Sequence, residues 1–373
     1  MHLITVNTGS SSIRLALFAL DAAGLRQLAE HRAEHRADAD DESAAAHLRQ
    51  VLGAWPTVDV TSIVHRIVHG GAQLQQPCRL NAEVLREISR LAPLAPLHQP
   101  LALRWIAACQ EVLSDRVAQL AVFDTAFFAD LPAVATTYAL PRALCNQHGL
   151  RRYGFHGLAH QAMWRRWRDM GDHAQSRVIS LQLGSGCSIA AIQNGVPLDT
   201  SMGFSPLEGL VMATRCGDID AGLLTYLQRS ANIDAAQLEH ILNRQSGLLG
   251  LSGTSGDMRQ LLAADDDAAK LAIEVYCYRV RKYIGAYLAT LGGADAIVFG
   301  GGVGEHAAAV RQQILTGMQW CGIELDAHAN ATVATIGPYA RISSVTSKIE
   351  VCVVAVDEAF EMAQQVTPLL HLV

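Results

Sequence analysis

"LITVNTGSSSIRLALF", residues 3–18, decides how the chain is read. A strand-like run (Leu3, Ile4, Val6) breaks into Asn-Thr-Gly-Ser-Ser-Ser and resumes as a second apolar run (Ile13, Leu15, Leu17, Phe18). Small hydroxyl residues favour turns. They also let backbone N–H groups approach an anion closely, as phosphate-binding turns do. A relative of this stretch recurs: "ITVNTGSSSI" (4–13) is matched by "ISLQLGSGCSI" (179–189), with Asn7 and Gln182 about half a chain apart. Strand, Gly-Ser turn and strand at that spacing imply two related α/β domains, expected to enclose a cleft suited to a nucleotide.

At 373 residues the chain is long enough for two domains. Half of it is hydrophobic and 17% is charged, which suits a packed globular protein rather than a disordered one. A formal charge of −6 argues against a nucleic-acid or membrane-surface binder, since both need a basic face. The 8 cysteines form no CxxC pair, so reduced thiols in a cytoplasm are expected rather than a zinc or disulfide framework. No cationic start precedes the first apolar residues, so no signal peptide is expected. The longest uncharged stretch, 178–198, carries too many polar residues and glycines for a membrane span.

Further along, residues 26–50 are charged and Ala-rich, predicting a surface connection followed by a solvated helix. "VDVTSIVHRIVHGG" (58–71) and "QLAVFDTAFF" (119–128) predict buried strands ending in polar residues. Residues 82–91, 100–113, 157–170 and 268–291 have helical patterns, and "ADAIVFGGGVGEH" (294–306) predicts strand, glycine turn and helix start. The end of the chain, from Ile349, predicts a strand and then a helix.

Polar residues gather where a core would not want them: Arg66 and His69, His98, Asp124, His156 and His160, Arg215, Asp257 with Arg259, and Glu358. Each also has a plain structural reading. Asp124 can cap the next segment, Arg215 can pair with Asp218 or Asp220, and Asp257–Arg259 can open a surface helix. No HExxH spacing, no Walker A loop and no Rossmann fingerprint occurs.

"NTGSSSIR", "HRIVHGG", "LAPLHQP", "VFDTAFF", "YGFHGLAH", "MGFSPLEGLVMATRCGDID" and "FGGGVGEH" occur in the order found in acetate kinases. The chain resembles that family from residue 3 to about 363. The resemblance implies the fold shared by actin, sugar kinases and Hsp70: two duplicated RNase H-like domains around a nucleotide cleft. It places the boundaries at 1–128 plus 360–373 and at 129–359. It implies a homodimer and the reaction of ATP with acetate to give ADP and acetyl phosphate, with Mg²⁺ or Mn²⁺. Alternatives are a propionate-preferring acyl kinase and a nucleotide-binding sensor without turnover.

By the same resemblance, Asn7 and Glu358 hold the metal, and Asp124, His156 and Arg215 are catalytic. Arg66, Val68, Leu97, His98, Phe155 and Pro206 form the substrate site. Arg14, Gln182, Leu183, Gly184, Ser185 and Gly186 would contact the nucleotide, with Asp257, Met258 and Arg259. Gly302, Val303, Gly304, Glu305 and His306 complete that set. The substrate is already ionised at neutral pH, so Asp124 is expected to orient an arginine or a metal-bound water rather than act as a base. Val68 implies acetate over propionate. Several residues depart from the family pattern: Arg14 for Lys, Ala72 for Glu, Gln99 for Asn, Phe128 for His, Gln182 for His, Ser185 for Asn and His306 for Asn.

Overall fold

The structure is a computed structural model that describes residues 1–9, 12–34, 41–113, 116–171, 175–333 and 337–370. Ser10 and Ser11 of the opening turn lie outside the described residues. The chain divides into two compact units: Met1–Ala129 with Phe155–Leu158 and Asp357–Val373, and Asp130–Gly154 with Ala159–Val356.

The first unit is built on strands β1 (His2–Thr8), β2 (Ser12–Asp21), β3 (Gly24–Glu34), β4 (Val60–Ile67), β5 (Cys78–Arg79) and β6 (Ala118–Phe123). The second carries β7 (Arg177–Leu183), β8 (Cys187–Gln193), β9 (Val196–Thr200), β10 (Ala296–Gly300), β11 (Tyr339–Arg341) and β12 (Glu350–Val354). The sheet orders are β3-β2-β1-β4-β6-β5 and β9-β8-β7-β10-β12-β11. They are the same order, element for element. Pairing sense repeats as well: β1–β4–β6 and β7–β10–β12 are parallel, while the flanking β2, β3 and β5, and β8, β9 and β11, run antiparallel. The duplication inferred from two Gly-Ser turns therefore extends through both sheets.

Their central strands are apolar on both faces because helices cover both sides. In the first unit, Ile4, Val6, Leu15 and Leu17 pack against Leu48, Trp105 and Cys109, on the side of helices Asp41–Ala54 and Gln99–Leu113. Leu3, Phe18, Val64 and Val122 pack on the other side against Ala359, Met362 and Val366 of helix Glu358–Leu370.

One expectation fails here. Residues 26–34 are not a surface connection but most of β3, paired with β2 from Asp21↔Gly24 to Ser12↔Glu34. Half-buried Ala29, His31 and Ala33 alternate with exposed Glu30, Arg32 and Glu34, a period-2 pattern concealed by the high charge and broken at Leu28, the extra residue of a bulge opposite Leu17 and Phe18 of β2. The predicted helix follows at Asp41–Ala54.

The imidazoles of His65 and His160 are wholly enclosed. His65 on β4 meets Gln119 Oε1 at 2.7 Å, and burial pushes its pKa down to about 4 against the opposing pull of that hydrogen bond. His160 lies between the hydroxyls of Ser180 (2.9 Å) and Ser188 (2.8 Å), and burial takes it down to about 3. Both stay neutral in the folded chain while the unfolded chain protonates near 6.5. The unfolded state thus binds more protons as pH falls, so stability is complete above about 6.5 and drains away below it. Urea unfolding is expected to lose about 1 kcal/mol per pH unit per imidazole near pH 5. His160→Gln should flatten that slope by one imidazole's share, whatever it costs at pH 7.5.

Candidate active site

The parallel strands β1, β4 and β6 end at the same edge of the first sheet, and there the chain places polar side chains on an apolar scaffold. Asn7 is the next-to-last residue of β1, Arg66 the next-to-last of β4, and Asp124 follows β6 directly. Glu358 opens the helix Glu358–Leu370. These residues close on one another. Arg66 Nε donates to both Asp124 oxygens at 3.1 Å, and Nη2 donates to Asp124 Oδ2 at 2.6 Å. Arg66 Nη1 donates to Asn7 Oδ1 at 2.9 Å and reaches Glu358 Oε2 at 3.5 Å, while Asn7 Nδ2 donates to the same Glu358 oxygen at 2.7 Å.

Burial pushes the Asp124 carboxyl upward, and the Arg66 guanidinium with the His156 backbone N–H pulls against it. Burial also works against the Arg66 charge, but Asp124 and Glu358 outweigh it and hold its pKa above the ordinary value. With three nitrogens engaged on protein oxygens, Arg66 keeps one Nη2–H uncommitted among the described residues. Asp124 is therefore paired with an arginine and is not merely a cap.

His156 is half-buried with φ 60°, the left-handed region that non-glycine residues seldom occupy. Gly157 follows, donating its N–H to the Asp124 carbonyl at 3.0 Å. A Cβ there would stand 2.2 Å from that carbonyl oxygen, so only glycine lets the helix Gly157–Arg168 begin this close to Asp124. Val68 and Phe155 are buried in this unit, and the Phe155 ring meets His69 edge-on at 5.4 Å. Gln99 was read only as a departure from the family pattern. It is wholly buried and donates to the His69 carbonyl at 2.9 Å, tying the segment of Leu97 and His98 to that of Val68.

Arg14 pairs across β1–β2 with Asn7, but its guanidinium is ion-paired to Glu30 (2.8 Å) and Asp357 (3.4 Å). Burial alone would raise Glu30; hydrogen bonds from Arg32, Arg14 and Gln27 instead take it down to about 2.

In the second unit the equivalent strand ends are glycine-rich. The turn Gly184–Gly186 joins β7 to β8, with Gly184 N–H on the Gly186 carbonyl. Gly301, after β10, has φ 75°, and a Cβ there would lie 2.8 Å from the Leu183 carbonyl. Gly184 and Ser185 of the turn, Gly302 next to Gly301, and the start of helix Met258–Ala263 line a cavity of about 550 Å³, within the range of small-molecule sites. Gly184, Ser185, Asp257, Met258, Arg259, Gly302, Val303 and His306 of the expected set line it. Gln182, Leu183, Gly186, Gly304 and Glu305 are not on its wall; Gln182 and Leu183 stand at the end of β7, and Glu305 turns back to accept from Gly301 N and Val356 N at 3.1 Å. Thr214, Leu248, Gly256 and Leu262 also line it and carried no sequence signal beyond their neighbourhoods. Asp257 caps its helix through Arg259 N and pairs with the exposed Arg259 side chain, the surface-helix reading, while both still face the cavity.

Arg215 is half-buried, and among the described residues its side chain makes one hydrogen bond, 2.9 Å from Nη1 to the Pro206 carbonyl. Asp218 is taken by Arg279, Tyr283 and Gly209 N, and Asp220 caps the helix Ala221–Ser230, so neither pairs with Arg215. A guanidinium has five N–H donors. Four of Arg215's are uncommitted among the described residues. Burial draws its pKa down, against a pull from Cys187, and Arg244 pushes the same way as burial.

The Acetokinase family description matches residues 25–364. The chain is 46% identical over 320 residues to the acetate kinase of Chloroherpeton thalassium, covering 84% of this chain and 76% of that one. Among solved structures it is similar to the acetate kinase of Porphyromonas gingivalis, with TM-score 0.87, 35% identity and 99% of both chains covered. It is also similar to a propionate kinase from Francisella tularensis, with TM-score 0.88, 32% identity and 98% of both chains covered.

The two central glycines of "FGGGVGEH" separate packing from the cavity wall. Gly302 has open space where a Cβ would go, whereas Gly301 has none. Gly302→Val should keep the thermal midpoint within a few degrees while weakening ADP binding in calorimetry. Gly301→Ala should cost more than about 1 kcal/mol of stability through its positive φ and the Leu183 carbonyl.

Proposed function

The chain belongs to the acetokinase family, and from that premise we propose that it transfers the γ-phosphoryl group of ATP to the carboxylate of acetate, giving acetyl phosphate and ADP. The observation that carries this reading is Arg215, a half-buried cation with four free donors and no carboxylate partner among the described residues. Phosphoryl transfer asks little covalent work of a protein and much neutralisation of charge on oxygen. An arriving carboxylate or phosphoryl anion offsets the desolvation that this guanidinium already bears.

We assign the nucleotide to the 550 Å³ cavity of the second unit, where backbone at Gly184, Ser185 and Gly302 allows close approach to phosphates. In the first unit, Val68, Leu97 and Phe155 are assigned to the methyl end of the acid, His98 to the same substrate segment, and His156 to hydrogen bonding with the transferring group. Acetate is ionised at neutral pH and needs no base. Asp124 accordingly positions Arg66 and accepts no proton in the reaction.

Asn7 and Glu358 fit a hard divalent cation: one amide and one carboxylate are oxygen donors that leave Mg²⁺ or Mn²⁺ most of its water. Such an ion supplies charge neutralisation to the nucleotide phosphates. Glu358 Oε1 has no protein partner among the described residues, so this carboxylate can serve an ion without giving up Asn7. A cytoplasmic homodimer completes the proposal. Eight free thiols support a reducing compartment, and no helix among the described residues is long and apolar enough to cross a membrane.

Acyl phosphate trapped with hydroxylamine, from ATP, Mg²⁺ and either acetate or propionate, tests the reading. Turnover with acetate favoured is expected. Arg215→Ala should lower kcat by about 10³–10⁵. ADP binding without turnover on either acid would replace the kinase with a nucleotide sensor, and faster turnover with propionate would move the substrate by one methylene.

A further inference from the structure

Arg311 takes no part in the contacts described so far, yet it is wholly buried. It lies on helix Ala308–Leu315, just beyond the short glycine helix Gly301–His306 that borders the cavity. Its Nη1 donates to the carbonyls of Gly304 (2.8 Å) and Glu305 (2.9 Å). Nε donates to Asn330 Oδ1 and Nη2 to the Asn330 carbonyl, both at 2.8 Å. Among the described residues no carboxylate pairs with it. Burial draws its pKa down to about 10, which leaves it protonated at neutral pH.

Burying an unpaired cation is costly, so the groups it holds must need holding. Those groups are identifiable. A helix of six residues cannot satisfy its own last carbonyls, and that end carries partial negative charge. Arg311 supplies both donors and charge there. At the other end the Glu305 carboxylate takes the Gly301 N–H and the Val356 N–H, 3.1 Å each, and so fastens the start of the helix to the segment leaving β12. The helix is gripped at both ends, and the residues it presents to the cavity in between are Gly302, Val303 and His306.

We propose that Arg311 is a positioning residue for the nucleotide: by holding the C-terminal carbonyls of Gly301–His306 it fixes the glycine backbone that the phosphates approach. The inference rests on the kinase reading and extends it to a side chain that touches no substrate. A backbone displaced by about 1 Å costs up to roughly a hundredfold in such sites. The effect should fall on ATP and ADP and spare the carboxylic acid, whose assigned residues owe nothing to this helix.

The test uses the full chain and three variants, Arg311→Lys, Arg311→Gln and Asn330→Ala, read by ADP calorimetry, by KM for ATP and for acetate, and by thermal midpoint. Arg311→Gln should weaken ADP binding by about tenfold to a hundredfold and leave the KM for acetate within about twofold. Arg311→Lys, with charge but no fork, should fall between it and the wild type. Asn330→Ala, which leaves the guanidinium in place but takes away the Nε partner, should weaken ADP binding severalfold; it decides the matter if the Arg311 variants do not fold. Unchanged ADP affinity in folded variants, or KM values for ATP and acetate rising together, would overturn the positioning role. A wild type that binds no ADP sinks the kinase reading and this inference with it; a wild type that binds and turns over, with Asn330→Ala and Arg311→Lys identical to it, sinks this inference alone.

Discussion

The first unit depends on one buried guanidinium. Arg66 is in contact with three residues drawn from positions 7, 124 and 358, and none of those contacts survives a change in strand register. β1, β4 and β6 are paired so that Val6 faces His65 and Arg66 faces Val122, which brings Asn7 level with Arg66 at the sheet edge and sets Asp124 two residues farther along, on the same face as Arg66. A slip of one residue would turn Arg66 to the opposite face and leave Asp124 buried without its cation. An uncompensated buried charge costs about 3–5 kcal/mol, so the ion pair acts as a check on pairing as well as a functional group. The apolar strands provide the stability. The pair specifies which of their alignments is native.

The second unit shares the strand order and sets the same sheet edge to a different use. Where the first sheet ends beside carboxylates that satisfy their own arginine, the second ends in glycines, two of which line a cavity. The exposed backbone needs support from behind, and Glu305 and Arg311 give it. One sheet order thus carries a closed electrostatic cluster in one copy and an open, backbone-lined cavity in the other. The scaffold was duplicated and the chemistry was not, which is why strand order alone says little about what either copy binds.

Much of this was legible in the chain. The paired Gly-Ser turns announced two related sheets, and the polar residues closing apolar runs marked Arg66, Asp124 and Glu358, while Asn7 came from the family resemblance. Strand β3 was not legible, because an edge strand with one solvated face and a bulge of its own at Leu28 has a charge pattern close to that of a surface connection. Gln99 and Arg311 were hidden for another reason. Both act on backbone carbonyls, Gln99 on His69 and Arg311 on Gly304, Glu305 and Asn330, and a carbonyl leaves no trace in residue identity. Arg14 shows the converse: a residue in a motif can be spoken for by charges elsewhere, here Glu30 and Asp357, which only the folded chain brings near.

Gln182 shows what such a position has to supply. It stands at the end of β7 where the family pattern has histidine, with its Oε1 buried and without a hydrogen-bond partner. An orphan acceptor of this kind costs about 1–3 kcal/mol, an expense hard to understand if the side chain only filled space. The Gln182 Nε2 is the amide atom nearest the Gly184 and Gly301 backbones, 4.0 Å and 3.0 Å from where a Cβ on each would stand. Turning the amide over would exchange that donor for an acceptor. An amide and a neutral imidazole both offer an N–H, so glutamine at this strand end keeps an uncharged donor without a proton equilibrium near neutral pH.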